Sequence, residues 1–345
     1  MRAVVFDGPG DLNLKEVPDP VMGHHDILIA PTCTTLCGTD VRIVRGEKTS
    51  GIRKGIILGH EIAGKVVGVG SGVTGWQEGD RVSVLPLIGC GRCTPCVTGN
   101  QQMCVHPELF SYDLDGSLAD LMLIPERALA RGSVVRINSS VPAPAAALAE
   151  PLACILTGVA ACGLTLGEDV LILGAGPIGL LWTQVAKAAG ANRIIVTNRG
   201  WERRNLALAM GATHAIDPTD IDLAEAVHEL TDGNGVDLAV LAIGVPSLMN
   251  DALRCTKNLG RVSAFAGFPK DSTATIDANL IHYNQIAVYG ASNSGPYHHR
   301  RAVQFIESGV IDTARLVTHN FGLDAIHRAL EVVANREGVK VAITP

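Results

Sequence analysis

Few short patterns restrict a fold as tightly as the one at residues 170–190 of this chain. Val170-Leu171-Ile172-Leu173 reads as a short buried strand. Gly174-Ala175-Gly176-Pro177-Ile178-Gly179 follows at once, and Leu180 to Ala189 reads as a helix of good formers stopped by Gly190. A G-x-G-x-x-G run means little alone; between a strand and a helix it predicts a dinucleotide site. The first glycine makes the tight turn, the second lets backbone approach a pyrophosphate, and the third lets helix and strand pack closely. Gly174, Gly176, Pro177, Ile178 and Gly179 are thus the predicted cofactor contacts, where unpaired N–H groups at the helix start face the phosphates. The blander reading, a plain glycine turn in an α/β sheet, is disfavoured by this context.

Further strands and helices alternate beyond the turn. Ile194–Val196 is the next strand, Glu202–Met210 a helix, Ala215-Ile216 a strand and Leu223–Leu230 a helix. Leu238–Leu241, Arg261–Phe265 and Ile286–Tyr289 complete the series. Such alternation predicts a doubly wound parallel sheet of the Rossmann kind in an α/β fold. The second strand of a dinucleotide site normally ends in an acidic residue that binds the adenosine ribose and favours NAD. Here Asn198 and Arg199 occupy that place, with Arg203 and Arg204 one turn into the helix. A neutral amide beside a guanidinium tolerates or binds a 2′-phosphate, so both NAD and NADP stay open. Arg199 as a solvated surface residue, with Asn198 still bonding the ribose, is the alternative.

The first part of the chain has another character. Ala3–Phe6 and Ile27–Ala30 are short apolar runs bounded by Gly, Pro and Asp, and Ile56–Val84 carries seven closely spaced glycines. This predicts a twisted antiparallel sheet or small barrel. The last 50 or so residues hold helices at Arg300–Ser308 and Leu323–Val333 and are expected to return to the first domain. With 345 residues and roughly 100–200 residues per domain, the division is 1–147 with 291–345, and 148–290. No block of Lys/Arg suggests a nucleic-acid partner. The apolar stretch from Val141 to Leu166 is interrupted by Pro142, Pro144, Glu150 and Pro151, which argues for a buried junction rather than a membrane span. The N-terminal apolar run is too short for a signal-peptide core, and a cytoplasmic location is expected.

Nine cysteines, an odd number, do not suggest a disulfide framework. Four of them form Cys90-x-x-Cys93-x-x-Cys96-x7-Cys104 in a polar loop. Four thiolates suit tetrahedral zinc with no open position, which is a structural site. A catalytic zinc needs three protein ligands and an open position. Cys37 in Cys37-Gly38-Thr39-Asp40, His60 in Gly59-His60-Glu61, and a carboxylate would serve.

Taken together, these segments resemble the zinc-containing medium-chain dehydrogenases, and their sorbitol (polyol) dehydrogenase branch in particular. The resemblance rests on Gly59-His60-Glu61-x2-Gly64-x5-Gly70-x2-Val73, Gly79-Asp80-Arg81-Val82, the four-cysteine loop and Leu173–Gly179, in that order, over essentially the whole chain. It implies a GroES-like β-rich catalytic domain, a Rossmann domain and an active site between them. It further implies that Cys37 and His60 bind the catalytic zinc and that Glu61 is a ligand or near-ligand. Glu150, which opens Glu150-Pro151-Leu152, fills the polyol-branch carboxylate position, with Cys154 as a rival one turn later. Thr39 resembles the hydroxyl that relays the alcohol proton, and Asp40 the carboxylate that orients the zinc-bound histidine. Zinc then acts as a Lewis acid on the substrate oxygen, and the hydride passes to the nicotinamide.

Two positions depart from the family pattern. Many relatives carry histidine where this chain has Arg42, which cannot serve as a general base and could instead bind an anionic group on substrate or cofactor. Asn293 stands where the polyol branch often has arginine. The expected activity is hydride transfer between NAD(P) and a secondary alcohol of a polyol, sugar alcohol or polyol phosphate, with two zincs per chain. A threonine 3-dehydrogenase-like enzyme and a catalytically silent dinucleotide-binding protein are the alternatives. The expected partners are a small-molecule alcohol or ketone and further copies of the chain, as a homodimer or homotetramer; no nucleic acid or membrane is expected.

Overall fold

The fold is taken from a computed structural model that describes residues 1–345. Contacts divide the chain into Met1–Cys154 with Asn293–Pro345, and Ile155–Ser292. The division falls inside the helix Ala149–Cys162.

The first unit is built on a seven-stranded sheet. Its path runs Val134–Arg136, Arg81–Val84, Glu61–Val69, Ile27–Leu36, Lys340–Ile343 and Val317–Phe321, with Met122–Ile124 also paired to Ile27–Leu36. The long strand Ile27–Leu36 is central, with Ile27, Ile29, Cys33 and Leu36 buried and the buried hydroxyls of Thr34 and Thr35 at its end. Its pairing with Glu61–Val69 is antiparallel and sets Thr35 opposite Glu61. On its other side Leu36 pairs with Val341. The C-terminal segment thus returns to this unit and supplies a strand next to its centre. A three-stranded sheet of Asp11–Glu16, Arg2–Gly8 and Ile56–Ile57 covers a second core around Phe6, Leu12, Ile43 and Leu58.

The second unit holds a six-stranded sheet, all of whose neighbours are parallel. Its order is His214–Ile216, Arg193–Thr197, Asp169–Leu173, Val236–Leu241, Thr256–Ala264 and Ala287–Gly290. The order reverses at Asp169–Leu173, the topological switch point of a doubly wound dinucleotide fold. Both faces are covered, so the inner strands read as unbroken apolar runs: Val170–Leu173 and Leu238–Leu241 are fully buried.

Several element limits differ from the sequence expectation. The fifth strand begins at Thr256 rather than Arg261, because a bulge around Leu259, itself at φ +61°, lets the chain resume pairing past Lys257-Asn258. The helix expected from Arg300 starts at Pro296, where proline fits the first helical turn. The final helix is preceded by a 3₁₀ turn at Leu323–Ala325 and runs Ile326–Ala334. The four-cysteine loop is not irregular throughout: it contains a helical turn, Thr94–Val97, and a 3₁₀ turn, Gln101–Met103. The apolar stretch Ala143–Cys162 has the length and hydropathy of a membrane span, but 67% of its apolar window is buried inside the protein. Its apolar faces therefore have protein partners.

Candidate functional site

The candidate metal residues come together through sheet register. Leu36 ends the central strand, and Cys37 follows as the N-cap of the helix Gly38–Val44. Glu61 opens the neighbouring antiparallel strand opposite Thr35, so His60 and Glu61 lie beside Cys37. Gly59 makes this approach possible. Its φ is +101°, and an added Cβ would come within 2.9 Å of Leu118 and Thr34. The donor atoms of Cys37, His60 and Glu61 all lie within 4.8 Å of one another.

Asp40 is the anchor beneath them. One carboxylate oxygen accepts from the Cys37 backbone N–H at 2.8 Å, and the other lies 3.3 Å from His60 Nδ1. The second contact is close but is not an aligned hydrogen bond. Burial alone would depress the His60 pKa, but the Asp40 carboxylate beside it holds it well above the ordinary value. Asp40 mirrors this: burial pushes its pKa up, and His60 brings it below the usual carboxylate range. A carboxylate on Nδ1 leaves the opposite ring nitrogen for a metal, the usual arrangement at zinc.

Glu61 is held from two further sides. Lys340 Nζ donates to its Oε1 at 2.6 Å, and the Thr35 hydroxyl donates to Oε2. Lys340 is buried, and its pKa is raised because the Glu61 carboxylate outweighs burial. Glu150 enters from the helix Ala149–Cys162 and stands outside the Cys37/His60/Glu61 set. Enclosure by protein raises its pKa, and Cys154 Sγ donates to its Oε1 at 3.4 Å. A buried carboxylate is stable as an anion only when paired or bound to a metal. Lys340 is already committed to Glu61, so this donor set fits a divalent cation near Cys37 and His60. Thr39 is half-buried two residues after Cys37. Arg42 lies on the same short helix, its Nε 3.9 Å from Glu47. Sequence reasoning missed Thr35, Lys340 and Ser294, which is buried next to Cys154. No local signal marks them, since Lys340 is 279 positions from its partner.

The four-cysteine loop forms a second cluster. Cys90, Cys93, Cys96 and Cys104 have their sulfurs within 4.8 Å of one another, with Cys90–Cys96 at 4.0 Å and Cys93–Cys104 at 3.8 Å. Tetrahedral zinc with Zn–S bonds of about 2.3 Å spaces its sulfurs by about 3.8 Å, so the cluster fits the ion. Backbone N–H groups of Arg92 and Cys93 lower the Cys90 pKa to about 6, while burial raises that of Cys96 to about 12. None of the nine cysteines is in a disulfide.

In the second unit the turn after Leu173 has the geometry its glycines predict. Gly174 adopts φ +107°, and a Cβ on Gly179 would sit 1.8 Å from the Gly174 carbonyl. Gly176 caps the helix Pro177–Ala188. Asn198 follows the second strand, and its Oδ1 accepts from the Ala175 N–H at 3.4 Å. Arg203 donates to the Ala175 carbonyl at 3.2 Å. Arg204 is tied to the Asn198 and Arg199 carbonyls and to Asp217. Arg199 is exposed.

Two family models match the chain, an alcohol dehydrogenase GroES-like domain over residues 23–134 and a zinc-binding dehydrogenase over 177–308. The chain is 37% identical to an L-threonine 3-dehydrogenase of Pyrococcus furiosus, covering 93% of this chain and 91% of that protein. It is 32% identical to a sorbitol dehydrogenase of Bacillus subtilis, covering 100% and 97%. A putative zinc-binding dehydrogenase from Sinorhizobium meliloti, solved bound to NADP, superposes with a TM-score of 0.93 at 31% identity, covering 100% and 99%.

Proposed function

This chain belongs to the zinc-containing medium-chain alcohol dehydrogenases, and from that premise we propose that it oxidises a secondary alcohol of a polyol, sugar alcohol or polyol phosphate. The observation that carries the reading is the compact donor set of Cys37, His60 and Glu61, with the Glu150 carboxylate beside it. As the family's cofactors, bound zinc supplies Lewis acidity at the substrate oxygen and NAD(P) accepts the hydride.

In this reading Cys37, His60 and Glu150 hold the catalytic zinc. Asp40 fixes the orientation of His60. Glu61 is kept off the metal, or released to it, according to its bonds to Lys340 and Thr35. The Thr39 hydroxyl takes the alcohol proton outward. Arg42 cannot continue that relay as a base, so it meets water or an anionic substituent. Cys90, Cys93, Cys96 and Cys104 hold a structural zinc. Gly174, Gly176, Pro177, Ile178 and Gly179 seat the pyrophosphate, and Asn198, Arg199 and Arg203 face the adenosine end.

Oxidation of L-threonine at its secondary hydroxyl is the second reading, favoured by the 37% identity to the Pyrococcus furiosus enzyme. The deciding experiment measures kcat/KM for sorbitol, galactitol, their phosphates and L-threonine, with NAD and with NADP. A polyol or its phosphate should lead the panel. Threonine ahead of every polyol would replace the first reading by the second, and no turnover in a zinc-replete protein would remove both.

A further inference from the structure

Cys154 lies one helical turn after Glu150 in the same helix, with its Sγ 3.4 Å from Glu150 Oε1. Two roles are open to such a thiol: it can compete with Glu150 for the metal, or it can hold Glu150 in place. Two observations separate them. The Cys154 hydrogen is directed at Glu150. Behind the sulfur stands Ser294, which is 1% exposed and whose hydroxyl has no aligned partner elsewhere and interacts with the Cys154 thiol.

Resting on the reading of Glu150 as a zinc ligand, we propose that Cys154 is a positioning residue: its S–H, backed by the Ser294 hydroxyl, fixes the Glu150 carboxylate for the metal without binding the metal itself. The thiol donates to Glu150, and in this proposal the Ser294 hydroxyl polarises the thiol from behind. One carboxylate oxygen is occupied by the thiol and the other remains for the cation. Groups that orient a metal ligand in this way matter nearly as much to affinity as the ligands.

The test uses the full-length protein and the Cys154→Ala, Cys154→Ser, Ser294→Ala and Glu150→Ala variants. Catalytic-site zinc affinity is read by competition with a chromophoric chelator. Cobalt exchanged into that site, with the structural zinc left in place, reports the number of thiolate ligands through its charge-transfer band. Cys154→Ala should weaken zinc binding by about 10–100-fold, and Cys154→Ser, which keeps a donor, should restore most of it. Ser294→Ala should weaken it less, and this variant also probes the chain from its outer end should Cys154→Ala fold poorly. The cobalt band should keep its intensity in Cys154→Ser. A weakened band would make Cys154 a ligand and overturn the proposal. Unchanged affinity in Cys154→Ala, or equal losses in the alanine and serine variants, would overturn it as well. Glu150→Ala separates the two levels: full zinc affinity in that variant would sink the ligand reading itself, whereas a loss there with none in Cys154→Ala would sink only the positioning role.

Discussion

Lys340 sets the charge balance around the Cys37, His60 and Glu61 donor set. Its ammonium and the Glu61 carboxylate are both almost fully buried and 2.6 Å apart. Removing one partner of a buried pair leaves an uncompensated charge and typically costs about 3–5 kcal/mol. Lys340→Met should therefore lower the thermal midpoint markedly in zinc-loaded protein, whereas Lys340→Arg should not. Equal midpoints for Lys340→Met and wild type would show that Thr35 alone supports the Glu61 carboxylate. At the cofactor end, Asn198 accepts from the Ala175 N–H and donates from Nδ2 to the Gly200 carbonyl. Aspartate would keep the first bond, lose the second and add a charge that repels a 2′-phosphate. A hydrogen bond to a charged group is worth about 1.5–3 kcal/mol, so Asn198→Asp should lower the NADP/NAD ratio of kcat/KM by about 10–100-fold. An unchanged ratio would mean that this residue does not select the cofactor.

At the scale of elements, the cysteine loop and the helix Pro296–Glu307 carry separate predictions. The loop has little apolar core of its own; of its four cysteines only Cys96 is buried. If it binds zinc as proposed, the metal supplies much of its order. Cys93→Ser should remove one zinc per chain and lower the midpoint of unfolding, while Glu150→Ala should mainly abolish activity. Metal analysis of the wild type should give two zincs per chain, and one or none at full activity would refute the two-site reading. In the helix, His299 is fully buried and meets Ser83 through Nε2 at 3.1 Å. Burial lowers its pKa from 6.5 to about 4. The unfolded chain therefore binds a proton below pH 6.5 that the folded chain refuses until about pH 4. Stability falls as pH drops through this window, by up to about 3 kcal/mol. His299→Gln should flatten the dependence of the unfolding midpoint on pH between 6.5 and 4. The same slope in both proteins would place the acid sensitivity elsewhere.

For the whole molecule, the exposed edge of the parallel sheet is the feature that matters. Ala287–Gly290 is paired only with Thr256–Ala264, and Val288 and Tyr289 are 42% and 37% exposed. An open strand edge with apolar side chains is a template for another strand. Pairing with the same edge of a second copy would satisfy its backbone groups and follow two-fold symmetry. A homodimer, or a tetramer of such dimers, is the expected state in sedimentation at micromolar concentration. Val288→Lys should shift it toward monomer, and a monomeric wild type would rule the interface out.

Local chemistry in the sequence determined the class of fold and several local geometries. Val170–Leu173 before Gly174 already required a buried strand, a left-handed turn and a helix, because each of those demands is met within ten residues. The spacing of Cys90, Cys93, Cys96 and Cys104 likewise brought four sulfurs together within one loop. Starts of elements were less legible: Pro296–His299 joins its helix because His299 packs inward, and Thr256 joins its strand through a bulge, neither of which periodicity records. What only the tertiary structure decided is which distant groups share a charge environment. Thr35 meets Glu61 through antiparallel register, and Lys340 reaches Glu61 because the C-terminal strand pairs with Leu36. Ser294 stands behind Cys154 although 140 positions of chain separate them. Electrostatic and hydrogen-bond partners are chosen by proximity in space, and no local propensity encodes that across a sheet assembled from both ends of the chain.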